Sequence, residues 1–175
     1  MFLRSILSVL LLITSVPSVV AGQEKSDQIQ PKGYVNDFAN VIDASTKDRL
    51  TTLCTEIDRK AHAQMAVVTI DTLGGASINE YATSLFNRWG IGHKDDNRGI
   101  LILLALSERK YRIEIGRGFE SLFPNDRVAR IGAEMIPDLK QRKYSEAVMH
   151  ATSVMATIIA KERGVKLTAL PVSPK

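Results

Sequence analysis

The chain has 175 residues, of which 45% are hydrophobic and 24% are charged, and its formal net charge is +4. These values fit one globular domain with a substantial core and argue against a disordered chain. Basic residues are spread along the chain with acidic residues between them, so no basic patch predicts nucleic-acid binding. The single cysteine, Cys54, excludes an internal disulfide, and its place in an apolar helix stripe favours a buried side chain over a reactive thiol.

The first 21 residues differ from the rest. Arg4 precedes the apolar run SILSVLLLITSVPSVV, and Ala21 and Gly22 follow it. This order is typical of a secretory signal, so we predict cleavage near Ala21 and export to the periplasm or the medium. An uncleaved membrane anchor is the alternative, but Pro17 and the short run favour cleavage. The exported chain would carry a net charge of about +3, and we predict no transmembrane helix in it.

The polar residues 22–33 predict a flexible leader, and we expect one domain over 34–164 followed by a flexible tail, 165–175. Periodic apolar residues predict a helix over 45–62, with Ser45 and Asp48 as its capping box. A second helix is expected over 77–89, with the same device at Ser77 and Glu80. The apolar, β-rich runs predict strands at 65–71, 99–106 and 111–116, and further helices are expected at 126–136, ending at Pro137, and 144–163.

A strand, a helix and a strand in sequence form a βαβ unit, so the first two predicted strands are expected to be parallel. The four residues 107–110 predict an antiparallel hairpin to the third strand. Helices before, between and after the strands must cover both faces of the sheet. The sequence therefore predicts an α/β fold, a three-layer α/β/α sandwich around a small mixed sheet.

The stretch WGIGHKDDNRG at 89–99 is the main candidate site. If 107–110 form the hairpin turn, Leu106 pairs with Tyr111 and Asn97 comes near Glu120. Asp95, Asp96, Asn97 and Glu120 would then share one neighbourhood, and such oxygen ligands suit Ca²⁺ or Mg²⁺. A solvated loop, with Lys94, Arg98 and Arg117 paired to the acids, is the alternative.

Several blocks resemble the TPM domain family in order and spacing, and they are GYVNDFANVID, SINEYATSLFNRWGIG, NRGILILLAL and RIEIGRGFE. The resemblance implies the α/β/α fold. It also implies an acidic cluster made of Asp37, the acids before Asn97, Glu120 and Asp126. Arg98 and Arg117 depart from the family pattern, and their guanidinium groups could instead bind a phosphate or another anion.

The family's members are described as acid phosphatases, as divalent-cation binders and as assembly factors of membrane complexes. We therefore expect a binding or assembly module of the cell envelope with a membrane-protein partner and a Ca²⁺ or Mg²⁺ site. The alternative is a metal-dependent acid phosphatase acting on phosphomonoesters. No catalytic motif decides between them, and His62 and His150 are expected at the surface or in the core rather than in catalysis. His93 is the one histidine in the candidate loop, but its position alone does not make it a base.

Overall fold

A mixed β-sheet lies between two layers of helices. The computed structural model describes residues 29–170, so the predicted signal at 1–21 and the last residues, 171–175, lie outside the described part. Within it the strands are β1 (Val35–Asp37), β2 (Gln64–Ile70), β3 (Gly99–Ala105) and β4 (Lys110–Ile115). The helices are α1 (Ala44–Ala61), α2 (Ile78–Trp89), α3 (Asn125–Lys140) and α4 (Tyr144–Arg163), with a 3₁₀ turn at Arg117–Phe119.

The strands follow the order β1-β2-β3-β4, with the first three parallel and β4 antiparallel to β3. The predicted mixed sheet is therefore confirmed. Strand β1 was not predicted, because three residues are too short to show an alternating pattern.

The central strand β3 is buried along its whole length and supplies both cores. Ile100, Ile102 and Leu104 pack with α1, α3 and α4, whereas Leu101 and Leu103 pack with α2 on the other face. Successive side chains of a strand point to opposite faces, so an apolar strand of this kind needs a helix layer on each side. The predicted three-layer α/β/α sandwich is confirmed.

The hairpin register differs from the prediction by two residues. Ala105 pairs with Lys110, and Ile100 rather than Ile102 lies opposite Ile115. The turn occupies 106–109 because Arg109 takes a left-handed conformation with φ 51° and donates its N–H to Leu106 O. Such a residue closes a four-residue loop that begins one residue earlier than the polar run SERK predicted.

Two helix boundaries also need correction. The N-cap of α1 is Asp43, whose carboxylate accepts the N–H of Thr46, and Ser45 lies inside the helix. Helix α3 continues through Pro137 to Lys140. Pro137 removes one N–H donor near the end of the helix, where a last turn still closes with Gln141 N–H donating to Asp138 O. The predicted caps of α2 at Ser77 and of α4 at Gly164 are confirmed.

Residues 165–170, which belong to the predicted tail, lie against α1. The carboxylate of Glu56 accepts the backbone N–H groups of Thr168 and Ala169 at 2.8 Å, and Lys60 Nζ donates to the carbonyl of Lys166. No helix within residues 29–170 is long and apolar enough to cross a membrane.

Candidate functional site

Two loops meet at the edge of the sheet where β3 begins and β4 ends. Asn97 O accepts the N–H groups of Gly99 at 3.0 Å and Gly118 at 3.3 Å. A Cβ atom at Gly118 would lie 2.1 Å from Asp96 O, so only glycine permits this approach. The loop before β3 and the loop after β4 therefore meet, as the predicted hairpin implied.

Asn97 shapes this loop through its backbone. It adopts φ 57°, a left-handed conformation that asparagine tolerates better than most residues, and its N–H donates to His93 O at 2.7 Å. Its exposed side chain makes no hydrogen bond within residues 29–170. The amide predicted as a metal ligand thus has a conformational role in the structure.

Three side chains converge beside this loop. His62, the left-handed residue that ends α1, lies with Nε2 3.3 Å from both carboxylate oxygens of Asp95 and 3.9 Å from Asp96 Oδ2. One ligand atom from each residue can be chosen so that all lie within 4.8 Å of one another. Within the described part of the chain, this is the one group of three or more His, Cys or acidic side chains close enough to share an ion.

The charge of this cluster favours a cation. Asp95 is 72% exposed, and the hydrogen bond from His62 lowers the pKa of its carboxyl group, so it is ionised at neutral pH. The cluster also lies at the C-terminal end of α1, where the helix dipole is negative. Against this, Arg98 Nε lies 3.9 Å from Asp96 Oδ2 and offsets part of the negative charge.

His93 supports His62 from below. The two imidazole rings stack with their centroids 3.7 Å apart, and His93 Nε2 lies 2.6 Å from Asp58 Oδ1. The other oxygen of Asp58 accepts the hydroxyl of Tyr34 at 2.6 Å. Burial and this carboxylate raise the pKa of Tyr34 to about 12. These connected polar contacts therefore orient the ring of His93, against which the ring of His62 stacks.

Arg98 is engaged by the protein itself. Its guanidinium donates through Nη2 to Glu162 at 2.8 Å and lies 4.4 Å from the centre of the Phe119 ring. The residue is only 8% exposed, although its Nε has no hydrogen-bond partner among the described residues. Arg117 is exposed and forms no ion pair within residues 29–170. The contacts of Arg98 and Arg117 therefore do not bring these two predicted anion ligands together at one site.

Asp37 lies at the opposite end of the sheet. It pairs with Thr69, which pairs with Leu104 near the end of β3, whereas Asp95 and Asp96 precede the first residue of that strand. Leu104 lies six residues further along the chain than Arg98, which in an extended strand is a distance of roughly 20 Å. The prediction that Asp37 approaches Glu120 is wrong, because β1 runs parallel to β3 and ends at the other edge.

Protein donors surround the Asp37 carboxylate. It accepts hydrogen bonds from Val41 N, Ile42 N, Thr69 Oγ1 and Lys47 Nζ, and its side chain is 3% exposed. Burial opposes its ionisation, but these donors outweigh burial and lower the pKa of the carboxyl group. Asp37 therefore acts as a structural anchor for the loop that leads into α1.

Glu120 and Asp126 also lie apart from the His62 cluster. Glu120 lines a separate groove of about 840 Å³ between β4 and the start of α3. Asp126, in the first turn of α3, accepts a hydrogen bond from Arg130 at 2.8 Å, which lowers the pKa of its carboxyl group. Of the predicted metal ligands, the structure brings together Asp95 and Asp96.

His62 is the residue that sequence reasoning missed. Helix α1 leads directly into β2, and Gln64, the first residue of β2, pairs with Gly99 and donates its N–H to Arg98 O. The residue that ends α1 must therefore lie beside the loop before β3. The predicted βαβ unit carries this signal, because parallel neighbouring strands begin at the same end of a sheet.

A mixed four-stranded sheet between helix layers, with a polar loop cluster at one edge, defines the class of this protein as an α/β/α sandwich domain. The TPM domain family matches residues 35–158, and the chain belongs to this family. The resemblance inferred from the sequence motifs is confirmed.

Solved structures with the same fold include proteins of three bacteria. The N-terminal domain of a P. gingivalis protein is 24% identical, with a TM-score of 0.70, and the match covers 75% of this chain and 85% of that one. The N-terminal domain of the Corynebacterium glutamicum cg2496 protein is 14% identical (TM-score 0.57; 83% and 88% covered). The BA42 protein of Bizionia argentinensis is 12% identical (TM-score 0.60; 74% and 92% covered). At these identities the likeness shows the fold alone, and no curated protein sequence matches the chain.

Proposed function

We propose that this chain is an exported TPM domain that binds a divalent cation through His62, Asp95 and Asp96 and uses the site to contact a membrane-protein partner in the cell envelope. The observation that carries the proposal is the convergence of one ligand atom from each of these residues within 4.8 Å. They come from two elements, the end of α1 and the loop before β3, whose positions the sheet determines.

The donor set fits a metal ion. Two carboxylates supply oxygen ligands of the kind that Ca²⁺ and Mg²⁺ prefer, and the imidazole nitrogen of His62 adds affinity for ions such as Zn²⁺ or Mn²⁺. His93 stacks on the ring of His62 and would limit its rotation, as supporting residues of metal ligands do. Three protein ligands leave coordination positions for water or for a side chain of the partner.

The alternative, a metal-dependent hydrolase of phosphomonoesters, receives less support. Such an enzyme needs a cationic group that faces the metal and neutralises the phosphoryl oxygens. Arg98 lies beside Asp96, but its guanidinium is directed to Glu162 and Phe119. A binding role requires no such group.

Calorimetric titration of the metal-free protein with Ca²⁺, Mg²⁺, Mn²⁺ and Zn²⁺ tests the proposal. We expect saturable binding of at least one ion, and we expect Asp95→Asn/Asp96→Asn to abolish it. Asp126→Asn is the matched control, because it removes an exposed carboxylate outside the cluster. The alternative function would be supported if the metal-loaded protein hydrolysed p-nitrophenyl phosphate and the double variant did not. The protein would then be a hydrolase rather than a binding module.

Export is tested separately. N-terminal sequencing of the protein recovered from the periplasm or the medium is expected to begin at Gly22. A chain recovered from the membrane with Met1 intact would identify an uncleaved anchor instead.

A further inference from the structure

A second groove lies at the other end of the sheet from the His62 cluster, outside the carboxyl ends of the parallel strands. It is about 920 Å³ in volume and runs between the β3-β4 turn and the loop that joins α3 to α4. Ligands of open α/β sheets bind at this end of the strands, and pockets for small organic molecules have volumes of this order. The position and size therefore suit a small ligand.

Four cationic side chains line this groove, namely Arg109, Lys110, Lys140 and Arg142. None of them forms an ion pair within residues 29–170, and no aspartate or glutamate of the described part lines the groove. Gathering like charges without an acid to offset them is unfavourable in the free protein and becomes favourable once an anion is bound. The groove therefore has the charge of an anion site.

Glu108, the acidic residue of the hairpin turn, is directed away from the groove. Glu108 accepts hydrogen bonds from Thr72 Oγ1 at 2.7 Å and Leu73 N at 3.0 Å, which direct its carboxylate toward the loop after β2. Lys110 lies near enough to act on Glu108 electrostatically, but the two form no ion pair. The cations of the groove thus keep their charge available for a ligand.

Two of the cations occupy left-handed backbone positions. Arg109 has φ 51° and Arg142 has φ 59°, and each donates its N–H to close a turn, to Leu106 O and Leu139 O respectively. Non-glycine residues adopt this conformation at a cost, and such strain clusters at binding sites. The two turns present guanidinium groups from both walls of the groove, and these groups match phosphate and carboxylate oxygens.

Apart from Ser107, the remaining lining is apolar or aromatic. Leu106, Ile136 and Leu139 contribute aliphatic surface, and the rings of Tyr111 and Tyr144 add flat faces. A bare inorganic anion would leave this surface in water, whereas a ligand with an apolar body would cover it. We propose that the groove binds a small amphiphilic organic anion, a phosphate or carboxylate joined to an apolar body. This proposal is independent of the metal site at the opposite edge.

Calorimetry with hexyl phosphate as the probe tests the proposal. Inorganic phosphate and 1-hexanol are titrated for comparison, because they represent the anionic part and the apolar part of the probe. We expect hexyl phosphate to bind saturably and more tightly than either of these two compounds. The variant Lys110→Gln/Lys140→Gln is expected to weaken this binding by about tenfold, because each lost charge removes a charge-assisted hydrogen bond. These two positions are exposed and lie in a regular strand and helix, so we expect the fold to be preserved.

The matched control is Arg59→Gln/Lys161→Gln, which makes the same change in net charge on exposed helix positions outside the groove. We expect it to bind hexyl phosphate like the wild type. The proposal is overturned if the wild type does not bind, if both double variants weaken binding equally, or if hexyl phosphate binds no better than inorganic phosphate. Binding to phosphatidylglycerol vesicles without binding to hexyl phosphate would also overturn it, in favour of a membrane surface.

Discussion

The imidazole rings of His62 and His93 stack face to face, with 3.7 Å between their centroids and 9° between their planes. One ring faces the carboxylates of Asp95 and Asp96, and the other contacts Asp58. The stack therefore connects the end of α1 to the loop before β3. Asp58, which contacts His93, also accepts a hydrogen bond from Tyr34, and this hydrogen bond can be tested directly.

Tyr34→Phe is expected to destabilise the protein by about 1 kcal/mol, because it removes the hydrogen bond to the part-buried Asp58. The pKa of Tyr34 is raised from 10.0 to about 12, so its contribution is complete below pH 10 and is lost as the pH rises toward 12. Urea unfolding at a series of pH values measures both effects. In the phenylalanine variant this part of the alkaline loss is expected to be absent.

Tyr144→Phe is the control for this experiment, because the Tyr144 hydroxyl makes no hydrogen bond within residues 29–170. Equal losses of stability in the two variants would show that the Tyr34 to Asp58 contact contributes nothing.

Asp37→Asn is expected to destabilise the protein by about 3 kcal/mol at pH 7, because it leaves Lys47 and two backbone N–H groups without their charged acceptor. The pKa of Asp37 is lowered, so its contribution is present above the unfolded value of 3.8 and is lost as the pH falls through the folded value. The difference in the free energy of unfolding between the wild type and the variant should therefore decrease in acid. Chemical denaturation measures it.

The matched control is Asp48→Asn, an exposed position within α1. A metal-dependent change in the stability of the wild type that disappears only in Asp37→Asn would contradict the structural role given to Asp37.

Glu56→Gln is expected to release residues 165–170 from α1. Burial opposes the ionisation of Glu56, but hydrogen bonds from Lys60, Thr168 and Ala169 outweigh it and lower its pKa to about 2. The contact should thus be complete above pH 4.5 and weaken as the pH falls toward 2. Hydrogen exchange at the amides of Thr168 and Ala169 reports it, and these amides should exchange faster in the variant. Unchanged exchange, or equal acceleration in Glu146→Gln, would contradict this contact.

The fold was largely predictable from the sequence, and the reason lies in its burial pattern. Strand β3 is apolar at every position, and the caps of α2 and α4 carry their own signals at Ser77 and Gly164. Strand β1 escaped prediction because its three residues depend on pairing with β2, which is a tertiary interaction.

The site was predictable only in part. Asp95 and Asp96 were found because they are adjacent in the sequence, whereas His62 joins them through the alignment of β2 with β3. Asp37 was assigned to the wrong end of the sheet, because its position depends on the direction of β1, a strand that was not predicted. Residues that belong to one loop can thus be grouped from the sequence, but residues from different elements require the register.

The most direct test of the metal site follows the ring nitrogens of the histidines by ¹H–¹⁵N NMR during a Zn²⁺ titration, repeated with Ca²⁺ and Mn²⁺. His150 is an internal control, because its Nε2 lies 2.8 Å from Glu134 and forms no ion pair with a second carboxylate within residues 29–170. We predict a saturable change at His62 Nε2, lost in Asp95→Asn/Asp96→Asn, while His150 stays unchanged. Equal changes at His62 and His150, or none at His62 with any of these ions, would contradict the account.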